Sequence, residues 1–89
     1  MIDINYELYK VFYHVASTLN FSEASKRLFI SQSAVSQSIK TLERKLDQTL
    51  FIRSTKKVQL TPEGEILMRH IEPAMNLIQK GEAQLIDAA

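Results

Sequence analysis

The stretch Ser22–Arg53, SEASKRLFISQSAVSQSIKTLERKLDQTLFIR, decides the fold because it predicts two helices separated by a tight turn. Ser22 is placed to cap a short helix that ends at about Leu28. After the turn, Ser31 is placed to cap a second helix. Apolar residues then recur at spacings of four, three and four, which marks the buried face of a helix: Val35, Ile39, Leu42 and Leu46. This arrangement predicts a helix-turn-helix.

The sequence on either side of this motif completes a small, mainly α fold. A preceding helix is predicted over Asn5–Leu19 from its apolar face. Two short β-prone runs, Leu50–Arg53 and Val58–Leu60, predict a β-hairpin around a polar tip. The Thr-Pro pair at 61–62 predicts the start of a last helix, which continues to about Ile86. The predicted architecture is a winged helix-turn-helix, with three helices and a β-hairpin wing, followed by a long linker or dimerisation helix.

Length and composition limit the possible classes of protein. The 89 residues have room for one core, so we expect residues 1–61 to form the winged helix-turn-helix domain and residues 62–89 the linker helix. The chain contains no cysteine, which excludes disulfides and thiolate metal sites. It also lacks a run of about 18 apolar residues and a leader pattern. We therefore expect an unprocessed cytoplasmic protein, with no membrane contact, no metal and no cofactor.

Charge is distributed unevenly along the chain. Residues 1–61 contain nine Lys and Arg against five Asp and Glu, a formal charge of +4. Residues 62–89 contain two against five, a formal charge of −3. The basic part predicts a polyanionic partner, and the acidic last helix predicts a position away from that partner.

The helix that follows Ser31 has a polar face opposite its apolar one. At about 100° per residue, this face carries Ser33, Gln37, Lys40 and Arg44, with Ser36 beside it and Gln32 in the first turn. Serine and glutamine can hydrogen-bond to base edges, and recognition helices use their N-terminal residues on bases. Solvated helix faces are usually rich in Glu and Lys, and serine is a poorer helix former than either, so an ordinary solvated face is the weaker interpretation. The pattern predicts that this helix, residues 32–46, reads the major groove of double-stranded DNA.

Basic and hydroxyl side chains nearby are expected to contact the DNA backbone. On the predicted wing, Arg53, Lys56 and Lys57 would follow phosphates or enter a neighbouring minor groove. Ser22 and Lys40 are expected to contact the backbone from the two helices. Contacts of this kind supply salt-dependent affinity more than sequence preference.

These residues together resemble the N-terminal DNA-binding domain of LysR-type transcriptional regulators. The resemblance implies a winged helix-turn-helix, a linker helix that dimerises and a separate ligand-sensing domain downstream. It also implies that Gln32, Ser33, Ser36 and Gln37 approach bases, while Ser31, Arg53 and Thr61 approach phosphates. Asp47 departs from the pattern, since glycine is usual there. The matching segments are Ser31–Ile39, Leu42-Glu43, Leu50-Phe51-x-Arg53 and Leu60-Thr61-Pro62-x-Gly64.

The last helix has an apolar stripe that favours pairing with a second copy. Ile71, Ile78 and Leu85 lie seven residues apart, as in a coiled-coil seam. Pro73 is expected to kink or weaken this helix. The alternative is a helix folded entirely back onto its own domain. The residues predicted to dimerise are Leu67, Ile71, Met75, Ile78 and Leu85.

The sequence ends at Ala89 without a sensing domain, so we expect an excised fragment or a truncated regulator. A small-molecule effector would act only through a domain outside this sequence. The competing interpretation is a winged-helix protein-interaction module, although the polar face after Ser31 lacks the aromatic side chains typical of protein hot spots. We expect no enzyme, since no metal-ligand spacing, nucleophile elbow or glycine-rich phosphate loop is found.

Overall fold

Over residues 3–54 and 57–88, which the computed structural model describes, the chain forms four helices and a two-stranded antiparallel sheet. Phe51 pairs with Leu60 and Arg53 with Val58 in the sheet. This confirms the predicted winged helix-turn-helix with a long last helix. In chain order the elements are α1 (Tyr6–Thr18), α2 (Phe21–Leu28), α3 (Gln32–Leu46), β1 (Phe51–Arg53), β2 (Val58–Leu60) and α4 (Pro62–Ala88).

The core lies where α1, α2 and α3 meet the base of the hairpin. Three aromatic rings join these elements: the Phe51 ring lies 5.4 Å from that of Phe12 and 6.1 Å from that of Phe21. The apolar face of α3 is buried as predicted at three of its four positions, while Leu46 is only half-buried. The core therefore fixes α3 through one face and leaves its opposite face outward. The buried cluster consists of Val11, Phe12, Val15, Ala16, Phe21, Ala24, Val35, Ile39, Leu42, Leu50 and Phe51.

Side-chain caps begin the first three helices. Asn5 accepts from the Glu7 N–H at 2.8 Å, and Ser31 accepts from the Ala34 N–H at 3.1 Å, as predicted for Ser31. The prediction that Ser22 caps α2 is wrong. Asn20 is the cap, and its Oδ1 accepts from the Glu23 N–H at 2.9 Å. An asparagine followed three residues later by glutamate is the stronger start signal.

Helices α1, α2 and α3 all end on a residue other than glycine in the left-handed conformation. These residues are Leu19, Phe29 and Asp47, with φ of 51°, 57° and 54°. Asp47 therefore adopts the left-handed conformation, for which glycine is better suited and which explains why glycine is the residue expected at this position. Phe29 is the least suited of the three, because its bulky side chain disfavours positive φ and its ring is 93% exposed.

Replacing Phe29 with asparagine is expected to stabilise the domain by about 1 kcal/mol, because asparagine tolerates the left-handed region and no packing is lost. Asp47→Asn is the matched control, since aspartate already tolerates this conformation, and its effect should stay within about 0.5 kcal/mol. Urea unfolding of the three proteins measures both changes. A destabilised Phe29→Asn protein would mean that the ring makes a contact the fold needs.

The start of α4 is joined closely to the start of β1. The Thr61 N–H donates to the Leu50 carbonyl at 3.0 Å, and the Leu50 N–H donates to the Glu43 carboxylate at 2.7 Å. Gly64 is buried against the same Leu50 carbonyl, which leaves no room for a Cβ atom. Leu50 therefore connects α3, β1 and α4 at one point. We call the residues Glu43, Leu50, Thr61 and Gly64 the α4 junction.

Within the described residues, only the first half of α4 packs against the other elements. Leu67 and Ile71 are half-buried against the core, and Met75 is 4% exposed. Every residue from Asn76 to Ala88 is exposed. Of the five residues predicted to dimerise, three are therefore used partly or wholly by the chain's own packing, and Met75 has almost no surface left for a partner. The exposed apolar side chains of this second half are Leu77, Ile78, Leu85 and Ile86.

Candidate nucleic-acid interface

The N-terminal half of α3 displays the four residues predicted to read bases. Gln32, Ser33 and Gln37 are exposed, and Ser36 is half-buried at the edge of the face. The Oγ atoms of Ser31 and Ser33 lie 3.2 Å apart, so the cap and the first turn share a hydrogen bond. Because the opposite face of α3 is locked in the core, these side chains project from a fixed platform. Such a platform is what a helix needs to enter the major groove in one register.

Lys40 extends this polar face toward the C-terminal end of α3. It is exposed and shares a shallow depression with Gln37 and Arg44. Lys40 and Arg44 lie one and two helical turns beyond Gln37, the last of the residues predicted to contact bases. This position suits contact with phosphates at the edge of a groove rather than with base edges.

A second cleft brings residues from α2, α3 and the hairpin together. It is lined by Ser22 of α2, by Gln32 and Ser36 of α3, and by Arg53 and Lys57 of the hairpin. Five of the predicted DNA-contacting residues, from three separate elements, therefore meet on one surface. Lys56, which was also predicted to contact the backbone, lies outside the described residues. We call this surface the wing cleft.

Arg53 holds a defined position in the wing cleft. Its guanidinium carbon lies 3.8 Å from the centroid of the Phe21 ring, and its Nη1 donates to the Ser36 Oγ at 3.4 Å. Phe21 is itself nearly buried between the core and this guanidinium. The hairpin, α2 and α3 are therefore linked through one arginine side chain.

The side chain of Thr61 forms its hydrogen bonds within the fold. Its side chain is buried, with 6% of the residue exposed. Its hydroxyl donates to the Thr49 carbonyl at 2.6 Å and accepts from the Gly64 N–H at 3.0 Å. Its own N–H is used by Leu50. The predicted capping role is confirmed. The hydroxyl and the N–H of Thr61 both donate within the chain, which argues against the predicted phosphate contact.

Two residues that sequence reasoning passed over support this surface. The Phe21 ring lies under the Arg53 guanidinium. The Glu43 carboxylate accepts from the backbone N–H groups of Leu50 and Phe51 at 2.7 and 3.4 Å. The Glu43 contacts orient β1 relative to α3. A glutamate on an otherwise basic helix was the available signal for Glu43. No local signal marked Phe21, because its partner is 32 residues away in the sequence.

His14 takes no part in this surface. Burial lowers its pKa below the usual 6.5, and the nearby charges of Arg27 and Lys10 lower it further. Its Nδ1 atom is buried without a hydrogen-bond partner among the described residues.

Within the described residues, no group of three or more His, Cys, Asp and Glu side chains is arranged to hold a metal ion. In the same part of the chain, no helix has the length and apolar character needed to cross a membrane.

A comparison with protein families identifies the fold with a known group. Residues 6–65 match the family described as bacterial regulatory helix-turn-helix proteins of the lysR family. The match spans α1, α2, α3, both strands and the start of α4. This chain belongs to the LysR family.

Curated relatives of this LysR-family chain are transcriptional regulators by name. The HTH-type transcriptional regulator PerR of Escherichia coli is 43% identical over 76 residues, which cover 85% of this chain and 26% of that protein. An uncharacterised HTH-type transcriptional regulator of the archaeon Methanocaldococcus jannaschii is 38% identical over 85 residues, covering 96% and 28%. The chain thus spans about a quarter of the length of these relatives.

Solved structures with the same fold include LysR-family DNA-binding domains. The CbnR DNA-binding domain in complex with DNA matches with a TM-score of 0.79 and 26% identity, covering 96% of this chain and 98% of that one. The probable transcriptional regulator PA0477 of Pseudomonas aeruginosa matches with a TM-score of 0.83 and 29% identity, covering 88% and 26%. The BenM DNA-binding domain, bound to DNA, has a TM-score of 0.84 at 22% identity over 96% of each chain, which shows the shared fold.

Proposed function

We propose that this LysR-family chain binds double-stranded DNA in a sequence-specific way, as the DNA-binding part of a transcription regulator. The observation that carries the proposal is the outward face of α3, whose exposed Gln32, Ser33 and Gln37 start at a capped helix N-terminus beside the basic wing cleft. Glutamine can make two hydrogen bonds to adenine, and serine can serve several base edges. As a bacterial DNA-binding protein it would act in the cytoplasm.

The roles divide by position on this surface. Gln32, Ser33, Ser36 and Gln37 are proposed to contact bases, because they occupy the first turns of the recognition helix. Ser22, Ser31 and the basic side chains are proposed to contact phosphates from the rim. The basic residues in this group are Lys40, Arg53, Lys56 and Lys57.

Binding sites selected from a random duplex pool test this function directly. We expect Gln32→Ala to lose about 1–3 kcal/mol of discrimination between the selected duplex and a scrambled one, because one bidentate base contact disappears. Lys40→Ala should weaken binding to both duplexes alike and reduce the slope of log affinity against log salt by about one. Fluorescence anisotropy at several salt concentrations measures both effects.

Gln59→Ala is the control for the glutamine variant, because Gln59 is an exposed glutamine on β2. The Gln59→Ala protein should discriminate between the selected and the scrambled duplex as well as the parent does. An affinity that changes neither with salt concentration nor on the Gln32→Ala substitution would contradict the proposed function.

The second part of the proposal is a homodimer formed through α4. Its support is the uncovered apolar surface of the last turns, where Leu85 is 76% exposed and Ile78 41%. A helix end with this much apolar surface and no internal partner favours association with a second helix. A two-fold dimer would also match two-fold-symmetric half-sites in DNA. The effector of the whole regulator would act through a domain outside this chain.

Glutamate at both Ile78 and Leu85 is expected to shift the chain to the monomer, because two charges would enter the apolar contact. The matched control is Gln79→Glu with Gln84→Glu, which adds the same charge on exposed positions of the same helix. Sedimentation equilibrium distinguishes the states. Equal dimer populations in both double variants would place the interface elsewhere.

One observation favours a second candidate function, a protein-interaction module. Phe29 is 93% exposed, three residues before α3 begins, and exposed aromatic side chains are typical of protein hot spots. Failure of the chain to bind any duplex, including fragments of genomic DNA, would favour this candidate over DNA binding.

A further inference from the structure

Among the described cations of the proposed DNA surface, Arg53 is unusual because two other elements already hold its side chain. The Phe21 ring of α2 lies under the guanidinium at 3.8 Å, and the Ser36 hydroxyl of α3 accepts from Nη1 at 3.4 Å. An arginine carries roughly 2 kcal/mol of rotamer entropy, part of which is lost on binding when the side chain starts free. A guanidinium that is already oriented loses less of it.

The Phe21 ring can serve as a platform because it is itself fixed. Phe21 is nearly buried and packs edge-on against Phe51 at 6.1 Å, so its outer face has one stable orientation. Aromatic faces attract guanidinium groups, and a stacked guanidinium keeps its N–H edge free for an anion. Ser36 uses one of five N–H donors, and the rest remain available at the wing cleft.

The same contact decides the direction in which Ser36 can hydrogen-bond. Its oxygen accepts from a charged donor, so the hydroxyl proton is left to point away from Arg53. Ser36 is thereby set to donate to an acceptor on DNA. Ser33 lies on the same helix face without a contact to Arg53, and its hydroxyl interacts with Ser31 instead.

We infer that Phe21 is a positioning residue for DNA binding, which holds Arg53 so that Arg53 and Ser36 contact the DNA as one unit across the wing and the recognition helix. This inference rests on the proposed DNA-binding function. It predicts that the effects of Phe21 and Ser36 on affinity depend on Arg53. It also predicts that lysine cannot replace Arg53, because an ammonium keeps the charge but lacks the flat surface that stacks on the ring.

Double-mutant cycles with a duplex selected from a random pool test the inference. Phe21→Leu, which keeps an apolar side chain in the core, should weaken binding roughly two- to fivefold in the parent and leave the Arg53→Ala protein unchanged. Ser36→Ala should likewise lose most of its effect in the Arg53→Ala background, whereas Ser33→Ala should have the same effect in both backgrounds. Arg53→Lys should match the parent in salt slope and still bind more weakly.

A measurement without DNA checks the arrangement itself. In ¹⁵N-labelled protein, the Arg53 side-chain resonances should show a ring-current shift that Phe21→Leu abolishes, while those of the exposed Arg69 on α4 stay unchanged. Equal effects of Phe21→Leu with and without Arg53, or the absence of a ring-current shift, would overturn the inference while DNA binding stands. A parent protein that binds no duplex would overturn both the inference and the proposed function.

Discussion

Replacing Gly64 with alanine is expected to cost about 2–3 kcal/mol of unfolding free energy. An added Cβ would collide with the Leu50 carbonyl oxygen and lie 2.9 Å from the Leu60 Cδ2 atom. The Leu60 methyl group can rotate away, but the carbonyl oxygen belongs to backbone that β1 and Thr61 hold in place. Overpacking of this kind costs about 1–3 kcal/mol, and backbone that cannot yield favours the upper part of the range.

Gly81→Ala is the matched control on the same helix. A Cβ added there would meet no atom within 4 Å among the described residues beyond its own turn of helix, and the position is exposed. Alanine is favoured over glycine in a helix interior by about 1 kcal/mol, so this variant should be more stable than the parent. Urea unfolding followed by circular dichroism gives both values. A Gly64→Ala protein as stable as the parent would mean that α4 can move away from β1 at no cost.

Replacing Thr61 with valine is expected to cost about 2 kcal/mol. The change preserves the shape of the side chain but removes a hydrogen bond to the Thr49 carbonyl and another from the Gly64 N–H. A buried polar group that loses its partner costs about 1–3 kcal/mol. Thr49→Val is the control, because Thr49 is exposed, and it should change stability by less than about 0.5 kcal/mol.

The same variant separates the two roles considered for Thr61. Because its hydroxyl is used internally, the folded Thr61→Val protein should keep the parent's salt slope in DNA binding. Arg53→Ala should reduce that slope by about one. A reduced salt slope in the Thr61→Val protein would support the phosphate contact, which the internal hydrogen bonds of Thr61 argue against.

The sequence predicted features that depend on neighbours a few residues away. The Ser31 and Thr61 caps, the apolar face of α3 and the two hairpin strands each follow from local patterns, and the structure confirms them. The error at Ser22 was also local. Two possible caps lay two residues apart, and the glutamate that follows Asn20 by three residues marked the correct one.

Features that depend on distant pairs could not be predicted. The burial of Thr61 follows from Thr49 and Leu50, which approach it only when the hairpin closes. The stacking of Arg53 joins residues from opposite ends of the motif. Periodicity likewise showed an apolar stripe on α4, but it could not show that Met75 is covered by the chain itself while Leu85 is not. The base-contacting and dimerisation roles stay predictions.

The uncovered second half of α4 makes that helix a lever arm. Its 27 residues span roughly 40 Å, and only its first half, through Met75, packs against the rest of the described residues. If two copies associate at the free end, a change of ~10° in their crossing angle would change the distance between the two α3 helices by ~7 Å, about two base-pair steps of 3.4 Å. The spacing between half-sites would then be set less by α3 than by the packing of a few apolar side chains far from any base.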